Sequence, residues 1–321
     1  MDLEEVLAGV REGRRRAIGR AITMVESLGP EGRRIVAALH PETGRAMRVG
    51  VTGPPGVGKS SLIGALTAHL RRRGSTVAVV SVDPSSPFTQ GAVLGDRIRL
   101  TDHFLDPGVF IRSMASRGHL GGLSEATADA VLVLDAAGFD VILVETVGSG
   151  QNEIEVQALA ETVLLVLMPG AGDAIQALKA GLMEIPDIVV INKADRPGAD
   201  LARAEIEAAL SLAPPDGWRI PILMTRALDG SGVPEVWEQV LAHRAYLAQE
   251  GRLDRRRREG LARQIRSLAL DRLARRVDAA SEPEVVRSLI DEVLARRLDP
   301  PSAVDRLLER VAAAGEGTPA P

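Results

Sequence analysis

Cysteine is absent from the 321 residues, which excludes disulfides, thiolate metal sites and a cysteine nucleophile. Aromatic residues make up only 2% of the chain, so a core must be built from Leu, Val, Ile and Ala. Lysine is scarce too. Of 39 basic residues only Lys59, Lys179 and Lys193 are lysine, and asparagine occurs only as Asn152 and Asn192. Such a bias fits G+C-rich codons or selection against thermolabile residues. It also makes each surviving lysine a candidate for chemistry that needs a compact ammonium rather than a planar guanidinium. The five histidines are scattered, without metal-ligand spacing. No apolar run reaches the ~18 residues of a membrane span, and the N-terminal "MDLEEVLAGVREGRRR" lacks the apolar centre of a signal peptide. A formal net charge of −4 gives no global case for nucleic acid or membrane as a partner. The expectation is a cytoplasmic protein of a reducing compartment.

What is present is patterned. Residues 1–44 carry apolar positions at helical spacing (Val6, Leu7, Val10, then Ile18, Ile22, Val25) and read as an N-terminal helical extension. From 45 to 245, short β-rich runs alternate with helix-length segments. The strand candidates are 48–53, 77–82, 108–113, 141–145, 163–168, 188–192 and 221–224. Near-continuous apolar runs of this kind suit parallel strands covered on both faces, so the fold class expected is α/β, a doubly wound and mostly parallel sheet with ligands at the C-terminal strand ends. After about 245 the strands stop and Arg-rich amphipathic helices follow to the end. Residues 246–321 read as a helical region with apolar stripes available to a second copy, closing in a disordered tail. The basic run 255–258 within it reads as a solvated helical face.

"GPPGVGKSS", residues 53–61, follows a strand and opens a helix, the context in which a glycine-rich loop cradles phosphates. Gly53, Gly56 and Gly58 let the loop through Pro54, Pro55 and Val57 curl so that its N–H groups, which the two prolines lack, face the anion, and the helix start adds its partial positive charge. Lys59 would bridge β- and γ-phosphates, Ser60 would ligate Mg²⁺, and Ser61 is placed for the α-phosphate. The phosphate loop with its lysine and hydroxyl makes this a P-loop NTPase.

"INKAD", residues 191–195, ends a later strand, where a base-reading loop belongs. The Asp195 carboxylate can accept from both N1–H and the N2 amine of guanine, donors that adenine does not present. Asn192 can hold the loop and reach N7, while the stem of Lys193 covers the base plane. Downstream, "TRALDG" (225–230) offers the backbone amides of Arg226, Ala227 and Leu228 to the guanine carbonyl. The nucleotide expected is therefore GTP or GDP, with Mg²⁺.

"VETVGSGQNE", residues 144–153, lies where a GTPase carries its second switch. Glu145 would hold a metal-bound water and Gly148 would offer its N–H to the γ-phosphate. Gln151 comes three residues after Gly148, a spacing poorly suited to orienting water, which implies slow intrinsic hydrolysis. Asp83 and Asp96 are further candidates for the metal sphere and a first switch.

Together, "VDPSSPFTQGAVLGDRIRL", "VFIRSMASRGHLGGL", "VETVGSGQNE" and "MPGAGDAIQALKAGLMEIPDIVVINKAD" strongly resemble the MeaB family of GTPases, also called ArgK. The resemblance covers about 48 to 230. It implies a chaperone of the adenosylcobalamin-dependent methylmalonyl-CoA mutase that gates cobalamin loading and protects the cofactor. It further implies a homodimer formed through the C-terminal region, and a third switch in "GAGDAIQALK" where Asp173 and Lys179 couple nucleotide state to the partner. Departures are Gln90, where a Gly is usual, and Arg226, where a Ser is usual. Two other classes stay open: a small-molecule kinase, which needs an acceptor site and a base, and a nickel-insertion GTPase, which usually needs Cys or His clusters.

Overall fold

The computed structural model describes residues 1–83, 103, 105–115, 125–146, 152–170, 186–211 and 217–315. Its centre is a seven-stranded sheet of β1 (Met47–Thr52), β2 (Val77–Asp83), β3 (Val109–Ala115), β4 (Val141–Glu145), β5 (Thr162–Leu167), β6 (Ile188–Asn192) and β7 (Ile222–Thr225). The strand order is β3-β2-β4-β1-β5-β6-β7, and all six pairings are parallel. Each expected strand is found within two residues of its apolar run, and the sheet is wholly rather than mostly parallel.

Alternation along the strands sorts the core. Val77 and Val79 of β2, Val141 and Leu143 of β4, Leu164 and Val166 of β5 and Ile188 and Val190 of β6 all point to one face. There they meet Leu62, Ile63 and Leu66 of α4 (Lys59–Arg72) and Val236, Trp237 and Val240 of α8 (Val233–Leu247). The intervening residues point to the opposite face, as a period of two requires. Val163, Leu165, Val189 and Ile191 pack there with Val156 of α6 (Asn152–Leu159) and Ile206 of α7 (Ala199–Leu210).

Ala78, Val80, Ile142 and Val144 on that second face are covered by α5 (Glu125–Ala136) and by the N-terminal helices α1 (Leu3–Arg11), α2 (Arg15–Glu26) and α3 (Pro30–Leu39). Helix α1 starts with a capping box: the Asp2 side chain accepts from the Glu5 amide and the Glu5 side chain accepts from the Asp2 amide. Val6, Val10, Ile18, Ile22 and Ile35 are fully buried in this cluster, so the first 44 residues complete the sheet's core. Their link to it is tied down by Asp135 of α5, whose carboxylate accepts the N–H groups of Gly44, Arg45 and Ala46 at 2.8, 3.1 and 3.0 Å.

Helix α9 runs from Arg252 to Ala280, followed by α10 (Pro283–Leu294) and α11 (Pro300–Gly315). The chain divides into two compact units, Met1–Leu261 and Ala262–Pro321. Within the second, α10 and α11 are joined by an Arg306–Glu292 ion pair at 2.8 Å, and Ile265, Leu273, Ile290, Leu294 and Val304 are exposed. The expected tail, beyond residue 315, lies outside the described residues.

Candidate nucleotide site

Parallel pairing brings the C-terminal ends of all strands to one edge of the sheet, and those candidate residues that are described gather there. The loop after β1 holds three glycines in the left-handed region, Gly53 at φ 135°, Gly56 at φ 80° and Gly58 at φ 98°. A Cβ on Gly53 would lie 2.1 Å from the Val166 carbonyl oxygen, and one on Gly58 would lie 2.4 Å from Asn192 Nδ2. A side chain at Gly53 would have to displace the β5 backbone, and one at Gly58 would have to displace the Asn192 side chain. Gly58 caps α4, so Lys59, Ser60 and Ser61 form its first turn. Lys59 is 8% exposed, and its ammonium donates to the carbonyls of Gly53 and Pro54 at 2.8 and 3.1 Å. It is thus held over the hollow of its own loop.

Strand register builds the second part. Glu145 lies opposite Val51 of β1 on one side and Ser81 of β2 on the other. Its buried carboxylate accepts from the Ser60 hydroxyl at 2.7 Å and from the Ser81 hydroxyl at 3.1 Å. A hydroxyl from the helix start and a carboxylate from the adjacent strand are hard oxygen donors of the kind Mg²⁺ takes. Sequence reasoning misses Ser81. Its only signal there is a polar residue inside "VAVVSV", one step from the strand end. Asp83 closes β2 at the same edge.

Asn192 organises the third part. It is 2% exposed; its Nδ2 donates to the Val57 carbonyl at 2.9 Å, and its Oδ1 accepts from the Ala227 amide at 3.1 Å and the Thr225 hydroxyl at 3.2 Å. One side chain therefore ties the glycine loop, the end of β6 and the loop after β7 together. Lys193, in the left-handed region at φ 56°, donates to the Gly56 carbonyl at 2.7 Å and reaches Met168 Sδ at 3.6 Å. Its stem lies along the glycine loop. Asp195 is exposed two residues on, and the Ala194 amide donates to the Thr225 carbonyl at 3.0 Å. Arg226 pairs with Asp229 at 3.3 Å and donates to the Ser231 hydroxyl at 3.0 Å. That bends the loop so that Ala227 is buried and Leu228 is 95% exposed.

Asp96, Gly148, Gln151, Asp173 and Lys179 lie outside the described residues. Among the described residues, no group of three or more His, Asp or Glu could hold a metal ion by itself, and no helix is long and apolar enough to cross a membrane. One sequence expectation is overturned away from the site. Within the basic run 255–258, Arg256 and Arg257 are half-buried ion-pair partners rather than part of a solvated face. They donate to the carboxylates of Asp187 and Glu161, each at 2.6 Å by the shorter bond, because those two acids are buried at the roots of β6 and β5 and need cationic partners.

With this geometry in place, comparison with known proteins is informative. The family model of the methylmalonyl-CoA mutase-associated GTPase MeaB matches residues 18–282. A putative GTPase of Pyrococcus horikoshii is 48% identical over 96% of this chain and 98% of its own length. The mitochondrial methylmalonic aciduria type A homolog of Caenorhabditis elegans is 35% identical over 80% of this chain and 70% of its own. A crystal structure described as a LAO/AO transport system kinase superimposes with a TM-score of 0.73 at 30% identity, covering 97% of both chains. The chain belongs to the MeaB family of P-loop GTPases.

Proposed function

We propose that this GTPase is a nucleotide-controlled chaperone of methylmalonyl-CoA mutase or a related adenosylcobalamin-dependent mutase, gating cobalamin loading and protecting the loaded enzyme. The observation that carries the nucleotide reading is the Asn192 brace, which ties the glycine loop to the loops after β6 and β7. In this reading GTP lies across that body. The amides of Gly56, Val57 and Gly58 and the Lys59 ammonium take the phosphates, on a loop shaped by Gly53, Pro54 and Pro55, and Ser61 lies beside the α-phosphate. Asp195 reads guanine from one edge, and the amides of Ala227 and Leu228 meet its carbonyl. Ser60 and Glu145 would hold Mg²⁺, with Asp83 and Asp96 completing the metal region; the ion, when bound, neutralises charge on the β- and γ-phosphates. Gly148 and Gln151 form a second switch whose displaced glutamine keeps isolated hydrolysis slow. Asp173 and Lys179 pass the nucleotide state to the mutase.

The mutase assignment rests on the family description. A homodimer through residues 262–315 is part of the same proposal, supported by the exposed apolar residues of that unit. The related crystal structure is described as that of a kinase, and kinase activity is the competing reading. It demands transfer of the γ-phosphoryl group to an acceptor other than water. The test follows phosphate release from GTP with and without a cobalamin mutase, alongside labelled-GTP incubation with small-molecule acceptors. Mutase-stimulated release without acceptor labelling supports the chaperone. Labelled acceptor would replace it with the kinase.

A further inference from the structure

At the edge of the sheet opposite the nucleotide loops, a second polar cluster is built that GTP binding does not use. Asp187, directly before β6, is 8% exposed. Its carboxylate receives both terminal nitrogens of Arg256 from α9, at 3.0 and 2.6 Å. It also accepts the Val163 amide of β5 at 2.8 Å and lies 3.3 Å from His243 Nε2 of α8. His243, 1% exposed, has its Nδ1 2.9 Å from the Thr162 hydroxyl. Trp218 donates its indole N–H to the Asp187 carbonyl at 2.7 Å, with its ring 4.9 Å from His243 and 5.4 Å from Tyr246. Arg252 of α9 covers the Tyr246 ring at 4.5 Å. One residue further along α9, Arg257 donates to Glu161 at 3.0 and 2.6 Å, and Arg48 of β1 approaches the same oxygen at 3.4 Å.

We propose that Asp187, Arg256 and His243 form an acid-released latch that fastens the first turns of α9 to the roots of β5 and β6, with Arg257–Glu161 as the pivot that stays paired. Three features support it. The closed latch is under-satisfied: Arg256 Nε is buried without a hydrogen-bond partner among the described residues, which leaves little holding Arg256 once its anion is gone. Arg256 has an exit, since its side chain is 22% exposed while that of Asp187 is 11% exposed. And the anion is titratable near neutrality. Burial pushes the Asp187 carboxyl from 3.8 up to about 6, against the opposing charge of Arg256 and the Val163 amide.

The sign follows from that shift. Above about pH 6 the carboxylate is charged and grips Arg256; below it the acid is neutral and the grip is lost. A carboxyl raised in the folded chain binds its proton more readily there than in the unfolded chain, so protonation favours the fold and the latch opens without unfolding. His243 is held neutral, its pKa lowered to about 3 by burial and then by the charge of Arg256. When Arg256 swings to solvent the second cause is removed. Among the described residues, the groups facing the latch are those named: His243 and Tyr246 of α8, Arg252, Arg256 and Arg257 of α9, Glu161 and Thr162 at the root of β5, Arg48 of β1, and Trp218.

The full-length protein carries its own reporter in Trp218. Its fluorescence, titrated from about pH 7.5 to about pH 5, should change with a midpoint near that of Asp187 while circular dichroism stays constant. The change should vanish in W218F, which locates it, and in D187N. Hydrogen exchange of amides 252–258, corrected for intrinsic rate, should quicken severalfold on acidification. R256M should show that fast exchange at both ends of the range, so a D187N variant that fails to fold leaves the idea testable. A flat Trp218 titration, or exchange of 252–258 that is the same at both ends of the range, would overturn the latch.

Discussion

Replacing Asn192 by Ala is the perturbation whose size the structure defines best. The side chain is 2% exposed and makes three hydrogen bonds, to the Val57 carbonyl, the Ala227 amide and the Thr225 hydroxyl. Each bond contributes about 1 kcal/mol net, and buried partners left unpaired raise the cost, so the loss is roughly 3–4 kcal/mol. In a body the size of Met1–Leu261 that corresponds to a Tm drop of roughly 6–16 °C. The damage should also reach function, because Val57 and Ala227 belong to loops on either side of the proposed nucleotide. GTP affinity should fall by ~10-fold or more even below the new Tm. The assay is thermal unfolding without nucleotide, paired with GTP titration calorimetry, on N192A and D195N together. Asp195 is exposed, so D195N should leave Tm within about 1 °C of the parent and lose affinity alone. A Tm for N192A within about 2 °C of the parent would refute the brace.

Four further outcomes follow. D195N turns an acceptor into a partial donor, so GTP should weaken by roughly 2–3 kcal/mol while xanthosine triphosphate gains, read by competitive binding. E145Q keeps one acceptor oxygen for one serine and turns an N–H toward the other hydroxyl, which rotates to accept, so folding should hold by circular dichroism, whereas the Mg²⁺ concentration needed for half-maximal hydrolysis should rise by about tenfold or more. D135A removes the acceptor of three backbone N–H groups and should cost roughly 3 kcal/mol in urea unfolding, loosening residues 44–46 first in hydrogen exchange. K179R and K179A should both keep GTP affinity within a few-fold, because the phosphate loop and Asp195 are untouched, and both should lose most mutase-stimulated hydrolysis. Parental stimulation in K179R would mean that the survival of this lysine among arginines carries no function.

Strand positions were legible because buried parallel strands are apolar on both faces, which leaves runs such as "VILVE" and "IVVIN" visible without any alternation to decode. The family was legible because long switch-region motifs lie between those runs. What stayed hidden were contacts between residues far apart in the chain. Ser81 reaches Glu145 across 64 residues, and Arg256 reaches Asp187 across 69. In one dimension Ser81 is a polar residue in a strand and Arg256 one of four consecutive arginines. A charge run defaults to solvent unless the sequence also reveals buried acids waiting at the sheet's edge. Asp187 and Glu161, each immediately before or next to the start of a strand, gave no such warning. The role of Asn192 was half visible: the motif placed it at a base-reading loop, and the fold adds that it braces that loop to Val57 and Ala227.

The central claim is a GTPase whose turnover is completed by a mutase, and phosphate release by the purified full-length chain tests it most directly. Hydrolysis should be slow for the chain alone, rise severalfold with an adenosylcobalamin-dependent mutase, and show no rise with D195N at GTP concentrations that saturate the parent. Fast hydrolysis by the isolated chain, unchanged by any such mutase, would contradict it.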